Sequence, residues 1–256
     1  MKIGISGKGG VGKTTVAALL SHYFAQQGRE VIAVDADPVA NLAVALGIPP
    51  DKVPVPIGEM RELIEERTES KKGYGTYFKL NPHVEDIPDV YCARLGRIRL
   101  LVLGGVKTGG SGCMCPESTL LKALISHLIL AREDVVILDM EAGIEHLGRA
   151  TAQAVSAMIV VVEPGARSLQ TALTIRRLCR DIGIRQIGAI VNKVPNMASI
   201  ERLKQSLGDI PVLGVLPYDG AILQADIESR SPFTGQPAQM KLISEWVAAL
   251  QKLVRE

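Results

Sequence analysis

Gly7-Lys8-Gly9-Gly10-Val11-Gly12-Lys13-Thr14-Thr15 decides the fold of this chain. The stretch follows an apolar run over 2–6 and precedes an apolar helical run over 16–26. Strand, glycine loop and helix in that order are what a phosphate-binding loop requires. The glycines let successive backbone N–H groups turn inward on an anion. The helix that starts at the loop adds the positive end of its dipole. Lys13 is placed to reach the β- and γ-phosphates, and the Thr14 hydroxyl to ligate Mg²⁺. Gly9, Gly10, Val11, Gly12 and Thr15 complete the expected cradle.

Outward from the loop, short apolar runs recur at 30–34, 98–103, 134–138, 158–162, 187–191 and 212–216. Most are continuous rather than alternating, the pattern of parallel strands buried on both faces. Helical runs separate them at 120–131, 166–182, 200–207 and 240–254. The expected fold is a doubly wound α/β domain: a mostly parallel sheet of about seven or eight strands flanked by helices, with the P-loop of an NTPase. Residues 91–94 and 97–103 are expected to pair as an antiparallel edge hairpin. No internal repeat or flexible linker divides the chain, so residues 1–256 are read as a single domain. The segments 49–56, rich in proline, and 68–88, polar with scattered aromatics, form a long excursion of the kind that often carries function.

Composition agrees with this reading. Hydrophobic residues make up 47% of the 256 positions and aromatics only 4%, so the core must be aliphatic. A net charge of +2 is too small for a dedicated nucleic-acid binder. No signal-peptide pattern and no apolar run of membrane-spanning length is present, which points to a cytoplasmic protein. The run 240–250 is amphipathic, but its polar side mixes Lys241 with Ser244 and Glu245. A packed terminal helix is therefore expected, and no stable membrane association.

Ligands of open parallel sheets bind at the carboxyl ends of the strands. Two acidic motifs end there: Val34-Asp35-Ala36-Asp37-Pro38, and Ile137-Leu138-Asp139-Met140-Glu141-Ala142-Gly143. Asp139 suits a Walker B carboxylate holding Mg²⁺ through water. Asp37 suits the group that polarises the attacking water, with a share in the magnesium shell. For Glu141, contact with metal, with nucleotide-bound water or with an opposite subunit stays open, and solvent exposure is the favoured reading.

The loop has a second lysine, Lys8, five residues before Lys13. This KGGVGKT form resembles the deviant Walker A family, which includes the MinD and ParA ATPases and the nitrogenase iron protein. The resemblance implies an ATP-hydrolysing homodimer in which Lys8 crosses to the nucleotide of the neighbouring chain. It assigns Asp37 and Asn41 to switch I and Asp139 and Gly143 to switch II. It also implies that Asn192, with Lys193, reads the adenine edge, since an amide offers one donor and one acceptor side by side. By the same resemblance Pro217, within 216–219, lines the base pocket. Lys193 is followed by Val194 rather than by an aspartate, which favours ATP over GTP.

The run 104–115 is a glycine-rich loop that ends Cys113-Met114-Cys115, followed by Pro116 at the expected first turn of a helix. Thiols at a helix N-terminus are favoured as thiolates, the form that binds metal. Two thiolates do not complete a tetrahedral site, whereas two copies of the loop across a two-fold axis supply four. Ni²⁺ or Zn²⁺ bridging two chains is the expected cargo, and it would promote the dimer together with ATP. Cys92 and Cys179 are expected to be buried as small hydrophobes. His22, His83 and His127 show no ligand spacing to Cys113, and His146 is kept as a minor candidate. A CxC in this loop resembles the branch of the family that matures nickel-containing carbon monoxide dehydrogenase, which implies that enzyme as client and nickel insertion as function. Two other readings stay open: a spatial organiser of the MinD/ParA kind, and an ATP-gated donor of electrons from a bridging iron–sulfur cluster.

Overall fold

The computed structural model describes residues 1–70, 77–104, 115–141, 143, 147, 149–196 and 199–255. The first half runs β1 (Lys2–Gly7), α1 (Lys13–Gln26), β2 (Val31–Ala36), α2 (Leu42–Leu46), α3 (Arg61–Thr68), α4 (Ile87–Val90), β3 (Ala93–Leu95), β4 (Ile98–Val102) and α5 (Pro116–Leu130). The second half runs β5 (Val135–Met140), α6 (Arg149–Ala152), β6 (Ala157–Val162), α7 (Ala166–Ile182), β7 (Ile187–Val194), α8 (Ser199–Leu207), β8 (Val212–Pro217), α9 (Gly220–Ile227) and α10 (Pro237–Arg255).

The strands form one eight-stranded sheet in the order β3-β4-β2-β5-β1-β6-β7-β8. Every pairing is parallel except β3 with β4, the expected edge hairpin. The continuous apolar runs behave as expected, because helices cover both faces of the sheet. On one face α1, α2 and α10 pack Leu19, Leu46, Trp246 and Leu250 against Ile3, Ile5 and Ile137. On the other, α5, α7 and α8 pack Leu124, Ile175 and Leu203 against Val136, Val160 and Val191. The excursion between β2 and β3 is more ordered than its composition implies. It buries Ile57, Leu63, Ile64, Val84 and Ile87 in this second layer. Its apolar residues were too sparse for the periodicity to show; these five are buried, while Val53, Val55, Tyr77, Leu80 and Val90 stay exposed.

The run 240–250 is a packed helix, with Ile243, Trp246, Val247 and Leu250 buried. None of the described helices is long and apolar enough to cross a membrane. Cys179 is buried in α7 as expected, and burial pushes its thiol up to about 12. Cys92 is only half-buried, because it lies just before β3 at the sheet edge, where one side of the strand has no neighbour.

Trp246 approaches the backbone of β8 closely. A Cβ placed on Gly214 would lie 1.9 Å from Trp246 Cδ1. Gly214→Ala is therefore expected to force α10 outward and to destabilise the fold by about 1–3 kcal/mol, the usual cost of overpacking. Urea denaturation followed by Trp246 fluorescence measures it; an unchanged midpoint would contradict this packing.

Candidate functional site

The register of the sheet assembles the site. Asp139 stands opposite Asp35 on β2 and opposite Ile5 on β1. One lateral row thus carries both acidic motifs and the strand that ends in the glycine loop. Asp35 and Asp139 are both buried, and Lys13, the first residue of α1, is 8% exposed beside them. Gly12 precedes α1 in the left-handed conformation, at φ 93°. A Cβ there would lie 2.2 Å from Asn192 Nδ2, so only glycine permits both the turn and the contact.

Asp35 and Asp139 do different jobs. The Asp35 carboxylate accepts from the backbone N–H of Leu42 at 2.8 Å and of Asp37 at 3.2 Å. It ties the start of α2 to the sheet and shapes the turn that carries Asp37. Burial pushes its carboxyl up to about 6, against those two hydrogen bonds. Burial pushes Asp139 further, to about 7; the Thr14 hydroxyl bond and the Lys13 charge oppose the shift, and the Asp35 charge adds to it. Asp139 Oδ1 is buried without a hydrogen-bond partner. An unpartnered carboxylate oxygen next to the Thr14 hydroxyl fits a hard divalent cation with oxygen ligands, so Thr14 and Asp139 suit the magnesium role.

Above this row opens a cleft of about 800 Å³, within the usual range for small-ligand sites. Gly9, Gly10, Gly12, Lys13, Thr14 and Thr15 form its floor, and Asp37 and Asn41 stand on one wall. Asn192, Lys193, Pro217, Tyr218, Asp219 and Arg230 form the other. Asp37 Oδ1 accepts from the Val39 N–H at 2.9 Å, a local turn that engages one of its two oxygens. Val11 is fully buried, and its carbonyl accepts from Asn192 Nδ2 at 2.8 Å. Its contribution is therefore through backbone.

Asn192 and Lys193 lie in a register irregularity between β7 and β8, and Lys193 has φ 55°. Asn192 uses one N–H on Val11 and one lone pair on the Lys193 N–H, at 2.8 Å each. One N–H and one lone pair remain, the pair an adenine edge requires. The Lys193 ammonium donates to the Gly10 carbonyl at 2.6 Å, strapping the loop to the far wall. Sequence reasoning missed this strap: a lysine after an asparagine gives no sign of what it reaches.

Two further contacts went unseen. The buried Ser6 hydroxyl lies 2.8 Å from the Glu141 carbonyl and 3.1 Å from the Gly143 carbonyl, so β1 holds the backbone that follows β5 directly. Lys8 Nζ pairs with Glu163 of its own chain at 3.7 Å. Glu141 is exposed, as expected.

Cys115 precedes the first turn of α5, and its Sγ accepts from the Ser118 N–H at 3.4 Å. It is half-buried and opens on a hollow of about 650 Å³ flanked by Glu59, Arg61 and Glu117. Cys113 and His146 lie outside the described residues. Among the described residues no cluster of three or more His, Cys, Asp or Glu side chains is assembled for a metal within one chain.

The raised Asp139 carboxyl has a measurable consequence. In the unfolded chain it ionises near 3.8 and in the folded chain near 7, so the folded state binds the extra proton between these values. Stability then falls as pH rises through that window. For nucleotide-free, magnesium-free protein, Asp139→Asn is expected to raise the urea midpoint relative to wild type at about pH 8, with the advantage shrinking toward about pH 5. A difference that does not change with pH would contradict the shift.

The sequence profile of the CobQ/CobB/MinD/ParA nucleotide binding domain matches residues 3–233. The carbon monoxide dehydrogenase accessory protein CooC of Rhodospirillum rubrum is 43% identical over 99% of this chain and 97% of its own length. An uncharacterised ATP-binding protein of Methanocaldococcus jannaschii is 46% identical over 94% of this chain and 91% of its own. Among solved structures, the cell division ATPase MinD of Pyrococcus furiosus superposes with a TM-score of 0.66 at 23% identity, covering 99% of this chain and all of that one. That last likeness bears on the fold alone, and the fold agrees: a mostly parallel sheet with its glycine loop after the central β1. The chain belongs to the CobQ/CobB/MinD/ParA nucleotide-binding domain family.

Proposed function

We propose that this chain is an ATP-hydrolysing metallochaperone that inserts nickel into a carbon monoxide dehydrogenase. The observation that carries the reading is the 43% identity to a carbon monoxide dehydrogenase accessory protein over 99% of the chain. At that coverage the loop, both acidic motifs and the CxC all fall within the shared length.

The chemistry assigned to the cleft is ATP plus water to ADP and phosphate. The backbone N–H groups of Gly9 to Thr15 and the Lys13 ammonium hold the β- and γ-phosphates. Thr14 and Asp139 hold Mg²⁺, with Asp37 beside them; the cation supplies charge neutralisation of the phosphates. Asp37 accepts a hydrogen bond from the attacking water through its free oxygen. Asn192 uses its spare donor and acceptor on adenine. Lys8 acts on the nucleotide of a second copy of the chain. Phosphoryl transfer asks little beyond such positioning and charge, so each group has a separable effect.

Nickel is the cargo. Cys113 and Cys115 of two chains bring four thiolates to one two-fold axis, and assembly of the dimer by ATP forms or strains that site. Hydrolysis releases the dimer and the ion with it.

Three variants test the cleft. Lys13→Ala is expected to abolish hydrolysis. Asp37→Asn is expected to retain ATP and accumulate a dimer visible by size exclusion, because an amide polarises water poorly. Lys8→Ala is expected to lose hydrolysis while single chains still bind nucleotide. Activity of Lys13→Ala within a few-fold of wild type would refute the phosphate assignment.

For the metal, Cys113→Ala or Cys115→Ala is expected to remove Ni²⁺ and Zn²⁺ binding, since two thiolates per dimer then replace four. Wild type should take one ion per two chains and dimerise more readily with it. Metal titration in sedimentation velocity reads both. One tight ion per chain, indifferent to either cysteine, would overturn the bridging site. A brown chromophore after anaerobic purification would favour the iron–sulfur reading, and ATP-dependent sedimentation with vesicles the spatial-organiser one.

A further inference from the structure

Lys8 and Lys13 leave the same glycine loop on opposite sides. Lys13 lines the nucleotide cleft with Thr14 and Asp37. Lys8 lines a separate shallow hollow over the outer side of α7, with Arg167, Gln170, Thr171 and Thr174. Lys8 is not among the residues that line the nucleotide cleft. Its ion pair among the described residues is with Glu163, at 3.7 Å.

Glu163 is held where this pairing is forced. Gly7 stands opposite Val161 in the β1–β6 register, so Glu163 follows the end of β6 just beside the start of the loop. The Glu163 N–H donates to Ser168 Oγ at 3.1 Å, and Ser168 is buried in the first turn of α7. The backbone is thus anchored while the carboxylate stays in reach of solvent. The two side chains are 39% and 32% exposed, so the pair is weak enough to exchange.

We propose that Glu163 is a positioning residue for Lys8, a counter-ion in cis that retains the lysine until a second copy of this chain presents its nucleotide phosphate. The proposal rests on the reading of Lys8 as acting in trans. Formation of the dimer then exchanges carboxylate for phosphate on each Lys8. The phosphate carries more charge and lies in a drier place, so the exchange runs forward only when the second chain is loaded. A partner without the γ-phosphate offers less than the carboxylate does, and Lys8 stays at home. Glu163 sets the threshold of dimerisation without touching ATP.

A two-fold dimer breaks two such pairs, so the effect of one substitution enters twice. Glu163→Gln is expected to tighten the ATP-dependent dimer between about twofold and about thirtyfold, from the usual range for exposed ion pairs. Sedimentation velocity on Asp37→Asn protein, in which hydrolysis is expected to be slow, measures it with ATP and with ADP. Single-chain affinity for a fluorescent ATP analogue is expected to stay at the wild-type value. Glu163→Asp, which keeps the charge, is expected to behave as wild type, and its melting curve checks folding. In a Lys8→Ala background Glu163→Gln is expected to change nothing. An unchanged or weaker dimer in Glu163→Gln, or an effect that survives in Lys8→Ala, would overturn the proposal. Failure of the reading beneath it looks different: Lys8→Ala alone would then dimerise and hydrolyse ATP normally.

Discussion

A carboxylate with no exit to water governs this molecule. Asp139 is 1% exposed, with Asp35 opposite it on the next strand and Lys13 and Thr14 above. Two buried acids side by side are unfavourable unless cations and hydrogen-bond donors compensate them. The parallel register brings the acids together, and the glycine loop brings the compensation. The loop and the two acidic strand ends are therefore parts of one electrostatic arrangement. Asp35 spends its oxygens on backbone N–H groups, while Asp139 keeps one oxygen in reserve. That difference separates a carboxylate committed to the backbone from one with an oxygen to spare, although the two stand opposite each other in the sheet.

The backbone responds to the same arrangement. Lys193 adopts a positive φ and Gly12 a left-handed turn where the far wall meets the loop. Asn192 and Lys193 hold the carbonyls of Val11 and Gly10. Those bonds turn two loop carbonyls to the wall. The loop is thus pre-organised by β7, a strand far from it in sequence, before any nucleotide arrives.

Much of this was legible in the residues alone. The loop motif, the buried strands and the two acidic strand ends are local patterns, and local patterns survive in a one-dimensional reading. The hairpin of β3 and β4 and the packed α10 were legible for the same reason. The illegible parts are contacts between distant residues whose types are common at surfaces. Neither Lys193 nor Glu163 differs in composition from any exposed residue, and only the sheet order brings each to the loop. The excursion between β2 and β3 misled in another way. Its few apolar residues are spaced irregularly by turns and short helices, so no period marks them, although they fill a layer of the core. Cys92 was misjudged because burial of a strand residue depends on whether a further strand lies beyond it.

The position of β1 also has a consequence for how the chain acquires its shape. This strand, among the first residues of the sequence, lies between β5 and β6, whose residues come more than 130 positions later. Closing so long a stretch of chain costs entropy before any pairing compensates it. During synthesis the loop and α1 would emerge with neither neighbour available. The anion cradle would then be among the last features to form, completed only when β5, β6 and then β7, with Asn192 and Lys193, have been added and docked. Nucleotide would thus find its site only on a nearly finished molecule, which makes ligand binding a report on the completeness of folding.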